Sequence, residues 1–212
     1  MSTDAARECP SPLQPADDPA LRARLGASHV AIIGCGGLGS NAAVMLVRSG
    51  VGCLTLIDFD AVEESNLNRQ MFFREQIGMP KTEALAETLR RINPDVSLVL
   101  VHECMNTDNL LATVGEADVV IEAVDRTEVK AMIVNVITSG APELPLVSAS
   151  GLAGVASANE VITERVGENF YLVGDLRSDV RAGLPLLASR VMVAAAHQAH
   201  AAVRILLGHL EP

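Results

Sequence analysis

Hydrophobic residues in this chain fall into short apolar runs separated by amphipathic segments. The runs that predict buried strands lie at 30–33, 53–57, 96–101, 118–123 and 146–149. The segments with apolar residues at helical spacing lie at 40–49, 82–92, 110–114 and 127–139. Strands that alternate with helices are typical of a parallel sheet with right-handed crossovers. We therefore predict an α/β fold with a doubly wound, mostly parallel sheet.

The two ends of the chain differ from this pattern. Residues 1–20 contain four prolines among Ser, Asp and Ala, a composition that predicts a flexible leader. Residues 155–163 and 170–173 predict a more antiparallel edge of the sheet, and residues 187–207 predict a final, Ala-rich helix. The remaining residues, 21–212, are expected to form one domain, since a chain of this length can bury a sizeable core.

The stretch after the first predicted strand carries the clearest chemical signal. Gly34, Gly36 and Gly39 form a G-x-G-x-x-G motif, with Gly37 inside it. Such glycines allow a tight turn, a backbone that phosphate can approach, and close packing of helix on strand. The next helix begins with free N–H groups, which attract an anion. The second strand then ends at Asp58, about twenty residues on, as a ribose contact requires. Strand, loop, helix and acid together predict a nucleotide site.

The residues after Asp58 bear on which nucleotide binds. Arg69 and Lys81 lie where they can fold back over the glycine loop. Two cations with the amides of Asn66 and Asn68 suit a triphosphate better than the shielded pyrophosphate of a dinucleotide. Taken alone, each cation is more typical of a solvated surface charge and each amide of a turn. A dehydrogenase or reductase that binds NAD is therefore kept as an alternative.

Composition and charge narrow the classes of partner. The net charge of -10, the pI near 4.9 and the scarcity of aromatic residues argue against a nucleic-acid surface. The longest apolar stretch, 186–207, contains arginines and histidines, which a membrane span tolerates poorly. No secretory signal opens the sequence, so we expect a cytoplasmic protein. The four cysteines lack C-x-x-C spacing and predict reduced thiols.

A set of motifs in a fixed order resembles a known family. The motifs are G-C-G-G-L-G, L-I-D-F-D, S-N-L-N-R-Q, G-M-P-K and R-I-N-P. In this order they resemble the ThiF/MoeB/HesA group, the bacterial relatives of the ubiquitin-activating enzymes, over about residues 21–208. The segment 147–154 and the short length are most similar to compact ThiF-type proteins. The resemblance implies a Rossmann-like, ubiquitin-activating-enzyme-like sheet.

The resemblance also implies a reaction. These proteins use Mg-ATP to adenylate the C-terminal glycine carboxylate of a ubiquitin-like sulfur carrier, and they release pyrophosphate. The compact ThiF-type members act on the ThiS-type carrier of thiamine thiazole synthesis. A close rival is activation of the molybdopterin carrier or another β-grasp protein. A third possibility is a non-catalytic carrier-binding subunit, although such subunits commonly lose Arg and Asp positions that this chain retains.

The resemblance assigns roles to individual residues. The resemblance places Asp58 on the ribose hydroxyls and places Asn66, Arg69 and Lys81 around the phosphates. Asp125 matches the family's metal-associated Asp and is expected to hold Mg²⁺, although alone it is equally typical of a helix N-cap. The candidate catalytic residues are Arg69, Lys81 and Asp125. The candidate cofactor-binding residues are Gly34, Gly36, Gly37, Gly39, Asp58, Asp60, Asn66, Arg69 and Lys81.

Departures from the family refine these expectations. The region 166–176 contains no cysteine, whereas larger members carry two cysteine pairs there, so we expect no structural zinc. No cysteine follows Cys104, which predicts a separate sulfur donor and an enzyme that stops at the acyl adenylate. The family's habit, with the small residues of the final helix, predicts a homodimer. Arg22 or Arg24 is a loose substitute for the arginine that many members contribute across that dimer.

Overall fold

A seven-stranded sheet with helices on both faces forms the centre of the computed structural model, which describes residues 18–179 and 182–211. The strands are β1 His29–Ile33, β2 Cys53–Ile57, β3 Ser97–Val101, β4 Val119–Glu122, β5 Leu146–Ala149, β6 Ile162–Arg165 and β7 Phe170–Gly174. Their order is β3-β2-β1-β4-β5-β7-β6. All neighbours pair in parallel except β6, which is antiparallel to β7. The predicted doubly wound α/β fold is confirmed.

The helices divide the hydrophobic core between the two faces of the sheet. They are α1 Pro19–Gly26, α2 Gly37–Ser49, α3 Lys81–Ile92, α4 Leu110–Val114, α5 Thr127–Gly140 and α6 Ala188–Leu206. One core joins α2, α3 and α6 to the sheet, and the other joins α4 and α5 to the opposite face. The central strands β4 and β5 are buried along their whole length. No helix of the described residues is both long and apolar enough to cross a bilayer.

The alanines of α6 are used inside the chain. Ala194, Ala195, Ala199 and Ala202 are all buried in the core that includes α2, and α2 and α6 are in close contact along their lengths. Small side chains allow two helices to approach closely. These alanines therefore give no support to the predicted dimer, which stays a prediction without them.

The prediction for residues 155–163 was wrong in extent. Only its last residues enter a strand, β6, while Val155 is 82% exposed and residues 158–160 form a short 3-10 turn. The reason is that the carbonyls of Ala156 and Ser157 accept hydrogen bonds from Arg190 at 2.6 and 2.7 Å and are not free for a strand ladder. The predicted antiparallel edge itself is confirmed, because β6 ends the sheet and pairs antiparallel with β7, which in turn joins β5 in parallel.

The predicted flexible leader falls mainly on residues 1–17, which lie outside the described residues. The chain is already ordered at Asp18, whose carboxylate accepts the N–H groups of Ala20 and Leu21 and caps α1. Leu25 of the same helix is buried, which anchors α1 to the core.

Candidate nucleotide site

A cavity of about 460 Å³ lies where β1, β2, β4 and β5 end. The order of strands reverses between β1 and β4, and ligands of open α/β sheets bind outside the carboxyl ends of the strands at such a switch point. The predicted site residues that line this cavity are Gly34, Gly36, Gly37, Asp58, Asp60, Arg69, Lys81 and Asp125. Gly39 and Asn66 are not in the lining.

The glycine loop connects β1 to α2 with little space for side chains. Gly34 has a φ of 95°, and a Cβ there would lie 2.8 Å from the carbonyl oxygen of Ala123. A Cβ on Gly39 would lie 1.8 Å from the carbonyl oxygen of Gly34, so Gly39 shapes the loop from behind. No side chain caps the start of α2. The N–H groups of its first turn are therefore available to an anion in the cavity.

Asp58 ties the end of β2 to the glycine loop. Its two carboxylate oxygens accept the N–H groups of Cys35 at 2.7 Å and of Asp60 at 2.8 Å. Burial raises the pKa of the Asp58 carboxyl above its ordinary value of 3.8, although these N–H groups and the nearby Lys81 oppose the rise. Each oxygen keeps a further lone pair, so the carboxylate can also accept a hydroxyl group from a ligand.

This raised pKa gives two opposite pH effects. A ribose hydroxyl needs an ionised Asp58, so ATP affinity should fall on acidification at a higher pH than for an ordinary aspartate. The stability of the fold changes in the opposite direction. Because the pKa of Asp58 is raised in the folded state, the free energy of unfolding should increase as the pH falls from the folded pKa towards the unfolded pKa. Calorimetric titration with ATP and urea unfolding of the wild type, both between about pH 4 and 7, should show the two trends. The variant Asp58→Asn should bind ATP weakly at every pH. If the ATP affinity of the wild type does not change with pH, the assignment of Asp58 to the ribose hydroxyls is wrong.

The two predicted cations are each held by a partner. The ammonium of Lys81, in the first turn of α3, lies 2.7 Å from Asp60, and the lysine side chain is only 9% exposed. The guanidinium of Arg69 donates to the carbonyl of Ser65 and to Asn68. The methylenes of Arg69 lie beside Gly37, where a Cβ would come within 3.6 Å of them. Both cations are thus fixed at the rim of the glycine loop.

Asn66 supports this arrangement from outside the cavity. It is buried, and its Oδ1 accepts the N–H of Glu63 at 3.0 Å. Its carbonyl accepts the N–H groups of Arg69 and Gln70. The contacts of Asn66 in this structure are therefore those of a turn that orients Arg69, and its predicted contact with phosphate stays a prediction.

Asp125 lies in the turn between β4 and α5. The N-cap position of α5 is Arg126, and no side chain caps that helix, so Asp125 is not used as a cap. Its carboxylate is exposed at the cavity and takes part in no hydrogen bond or ion pair with the described residues. The described part of the chain holds no cluster of three metal-ligating side chains. A cation at Asp125 would therefore need oxygens from a bound ligand, as Mg²⁺ does in many phosphate sites.

Sequence reasoning missed two groups that line this cavity, Gln70 and Cys104, and one buried behind it, Glu122. Gln70 lines it, and the buried Oε1 of its amide has no partner among the described residues. Cys104 is exposed and also lines it, whereas Cys35 is buried, which raises the pKa of its thiol. Glu122 was concealed in the apolar run of β4, although an acid within a buried strand is itself a signal, because such residues are rarely buried unless paired.

The loops that follow β5 and β7 form the far wall of the cavity. Asp175 connects them: its Oδ2 lies 2.5 Å from the guanidinium of Arg190, and its Oδ1 accepts the N–H groups of Arg177 and Ser178. Burial acts to raise the pKa of Asp175, but the hydrogen bonds from Ser178, Arg177 and Arg190 outweigh it and hold the pKa below its ordinary value. The loop after β7 is also joined to the loop after β5, because the hydroxyl of Ser178 accepts the N–H of Ala153 at 3.0 Å.

Comparison with known proteins identifies relatives of this chain. The profile of the ThiF family matches residues 12–212. The molybdopterin-synthase adenylyltransferase of Escherichia coli is 34% identical over 194 residues, which cover 87% of this chain and 75% of that protein. The tRNA threonylcarbamoyladenosine dehydratase of the same organism is 35% identical over 137 residues, which cover 63% of this chain and 50% of that protein.

Solved structures show the same fold. The E. coli tRNA N6-threonylcarbamoyladenosine dehydratase in complex with ATP superposes with a TM-score of 0.81, at 23% identity and with 90% of each chain covered. E. coli MccB in complex with ATP superposes with a TM-score of 0.70, at 24% identity, with 91% of this chain and 59% of that chain covered. At these identities the likeness establishes a common fold.

Proposed function

This chain belongs to the ThiF family, and on that premise we propose that it is an adenylyltransferase that activates a ubiquitin-like carrier. It would use Mg-ATP to adenylate the C-terminal glycine carboxylate of the carrier and release pyrophosphate. The observation that carries the proposal is one cavity that contains the open start of α2, the cations Arg69 and Lys81, and the carboxylates Asp58 and Asp125. A dinucleotide-binding sheet has no obligatory pair of cations after its second strand.

The residues present fit ATP. The first-turn N–H groups of α2 and the charges of Arg69 and Lys81 suit a chain of phosphates, and Asp58 suits a ribose. Gln70 adds a buried acceptor without a protein partner. Bound ATP would supply the electrophilic α-phosphorus. The residues of the chain then need only align two anions and neutralise charge that develops between them, which is catalysis by positioning and electrostatics.

The metal and the cysteines follow the same proposal. Asp125 is the residue assigned to Mg²⁺, with the remaining ligands supplied by phosphate oxygens. We expect no structural zinc, since the segment 166–176 contains no cysteine. We also expect no covalent bond between this enzyme and the carrier, with sulfur delivered by a separate donor. Of the cysteines that lie in the described residues, Cys104 is the one to test, because it is exposed at the cavity.

The identity of the carrier has two candidates. The short length and the motifs favour a ThiS-type carrier of thiamine biosynthesis. The 34% identity to a molybdopterin-synthase adenylyltransferase, over 75% of that protein, favours a molybdopterin-type carrier. A homodimer and a cytoplasmic location belong to either version of the proposal. We place the C-terminal segment of the carrier at the far wall of the cavity, which is formed by the loops that Asp175 and Arg190 connect.

The test is ATP–pyrophosphate exchange with a panel of purified β-grasp carriers. We expect exchange that requires Mg²⁺ and one carrier, and mass spectrometry should show that carrier with AMP attached. Titration of NAD into the same preparation is the matched control and should show no binding. Binding of NAD in place of ATP, or failure of every carrier to support exchange, would contradict the proposal. Elemental analysis that finds about one zinc per chain would contradict the expectation for zinc.

A further inference from the structure

Glu122 is a fully buried acid at the end of β4, in the centre of the sheet, with 0% of its surface exposed. A buried carboxylate is costly unless it is paired and hydrogen-bonded. Here it has three donors. The N–H of Val124 donates to Oε1 at 2.8 Å, and the ammonium of Lys130 and the hydroxyl of Ser148 both donate to Oε2.

This cluster belongs to the wall of the cavity and not only to the core. Lys130 lines the cavity and keeps 23% of its side chain exposed, and Val124 lines it as well. Ser148 lies on β5, one strand away from Glu122 and two residues before the lining residue Ser150. The ion pair therefore connects the two central strands to a cation that a ligand can reach.

Stability alone gives a weak reason for such a pair. Replacing a buried ion pair with apolar residues of similar volume is often neutral or stabilising, since desolvation of both charges offsets their attraction. The core on this face of the sheet also holds the buried apolar residues Ile33, Val120, Ile133 and Leu146. A hydrophobic pair would thus complete the same core. The charges are explained better by the position of the pair beside the cavity.

The geometry shows what Glu122 can control. Its Oε1 fixes the N–H of Val124, the residue directly before Asp125, and its Oε2 fixes Lys130 in the first turns of α5. One carboxylate thus orients two groups of opposite charge, the free carboxylate of Asp125 and the ammonium of Lys130. Both of these groups line the cavity, as the pair of Lys81 and Asp60 also does.

We propose that Lys130 is a further cation that contacts the bound substrates and that Glu122 is its positioning residue. The proposal rests on the proposed function, because it assumes that the cavity binds ATP and a carboxylate. Lys130 lines the cavity that also contains the glycine loop and the loops after β5 and β7, and its ammonium shares Glu122 Oε2 with the hydroxyl of Ser148 on β5. It neutralises negative charge at the junction of the two substrates, while Glu122 limits the directions in which its ammonium can point.

The test uses four variants. Glu122→Gln keeps the size and one acceptor but removes the counter-charge, Lys130→Met removes the cation, and Lys130→Arg keeps it. The fourth combines Glu122→Gln with Lys130→Met. Arg165→Met is the matched control, because Arg165 forms an ion pair with Glu211 away from the cavity. Each variant is measured for ATP affinity by calorimetry, for KM and kcat in carrier-dependent exchange, and for melting temperature.

We expect Glu122→Gln and Lys130→Met each to lower kcat/KM by roughly tenfold or more, the scale for loss of a group that orients a ligand-binding residue. Lys130→Arg should restore most of the activity. The double variant should lose less than the product of the two single effects, because the residues act as a unit. Arg165→Met should behave like the wild type.

The outcomes separate this proposal from the one on which it rests. If the wild type binds ATP and supports exchange, but KM, kcat and ATP affinity are unchanged in Glu122→Gln and Lys130→Met, the pair is merely structural and the inference is wrong. A lower melting temperature with unchanged kinetics has the same meaning. If the wild type binds no ATP and supports no exchange with any carrier, the proposed function fails and this inference fails with it.

Discussion

Replacing Asp125 with alanine should lower carrier-dependent ATP–pyrophosphate exchange by roughly 10²-fold or more, the scale for losing one preorganised charged contact. The carboxylate is exposed at the cavity and has no partner within residues 18–179 and 182–211, so its removal leaves no buried charge behind. The fold should therefore survive, and the loss should appear in kcat and in the concentration of Mg²⁺ required. Arg69→Ala should cause a loss of similar size.

Matched controls exist for both substitutions. Glu128 is an exposed acid in the same helix start as Asp125 but is not in the cavity lining, and Arg74 is an exposed arginine paired with Glu64. Glu128→Ala and Arg74→Ala should keep near wild-type exchange. If Asp125→Ala and Arg69→Ala also keep it, the roles assigned to these two residues are removed.

The variant Arg190→Met should lower the free energy of unfolding by about 3–5 kcal/mol, because it leaves the buried charge of Asp175 without its partner. Both side chains are 4% exposed, and the guanidinium also binds the carbonyls of Ala156 and Ser157. For a chain of this size the melting temperature should fall by roughly 10 °C. Urea unfolding at neutral pH gives the measurement.

The pH dependence of this difference provides an internal check. The pKa of Asp175 is held below its ordinary value of 3.8 in the folded state, so the stabilisation is complete above that value and is lost as the pH falls through the lower folded pKa. The difference in the free energy of unfolding between the wild type and Arg190→Met should be constant at neutral and mildly acidic pH. It should become smaller at more acidic pH, where Asp175 is protonated in the folded state. Arg74→Met, which breaks the exposed pair of Arg74 and Glu64, should change the free energy of unfolding by no more than about 0.5 kcal/mol. A similar small change in Arg190→Met would show that the two loops do not depend on Arg190.

The regular elements could be predicted from the sequence because each has a local cause. The strand at 53–57 and the helix at 110–114 agree with the structure to the residue, since an apolar run or a helical period determines them without help from distant parts. The segment 155–163 has strand-forming residues only at its two ends, and Arg190, more than thirty positions along the chain, binds the carbonyls of Ala156 and Ser157. No local pattern contains that interaction.

In the candidate site, too, some features have a local cause and others depend on residues that are distant in the sequence. Gly34 and Asp58 could be placed by spacing alone, because one β-α-β unit brings them together and the N–H of the intervening Cys35 binds Asp58. The pair of Lys130 and Glu122 could not be placed in that way. Its meaning depends on Ser148, which a different strand supplies. Glu122 and Lys130 belong to one β-α unit, and the pairing of β4 with β5 brings Ser148 to them.

The packing of α6 has a mechanical consequence. The small side chains of α6 pack against α2, which begins at the glycine loop. In the first turn of α6, Arg190 binds Asp175 in the far wall of the cavity. Val191 in that turn also lies close to Gly37, where a Cβ would come within 3.1 Å of it. The helix α6 thus contacts both halves of the cavity and connects them. Because separating the halves would break these contacts, we expect large substrates to enter and leave by local rearrangement of the rim and not by a hinge that opens the sheet.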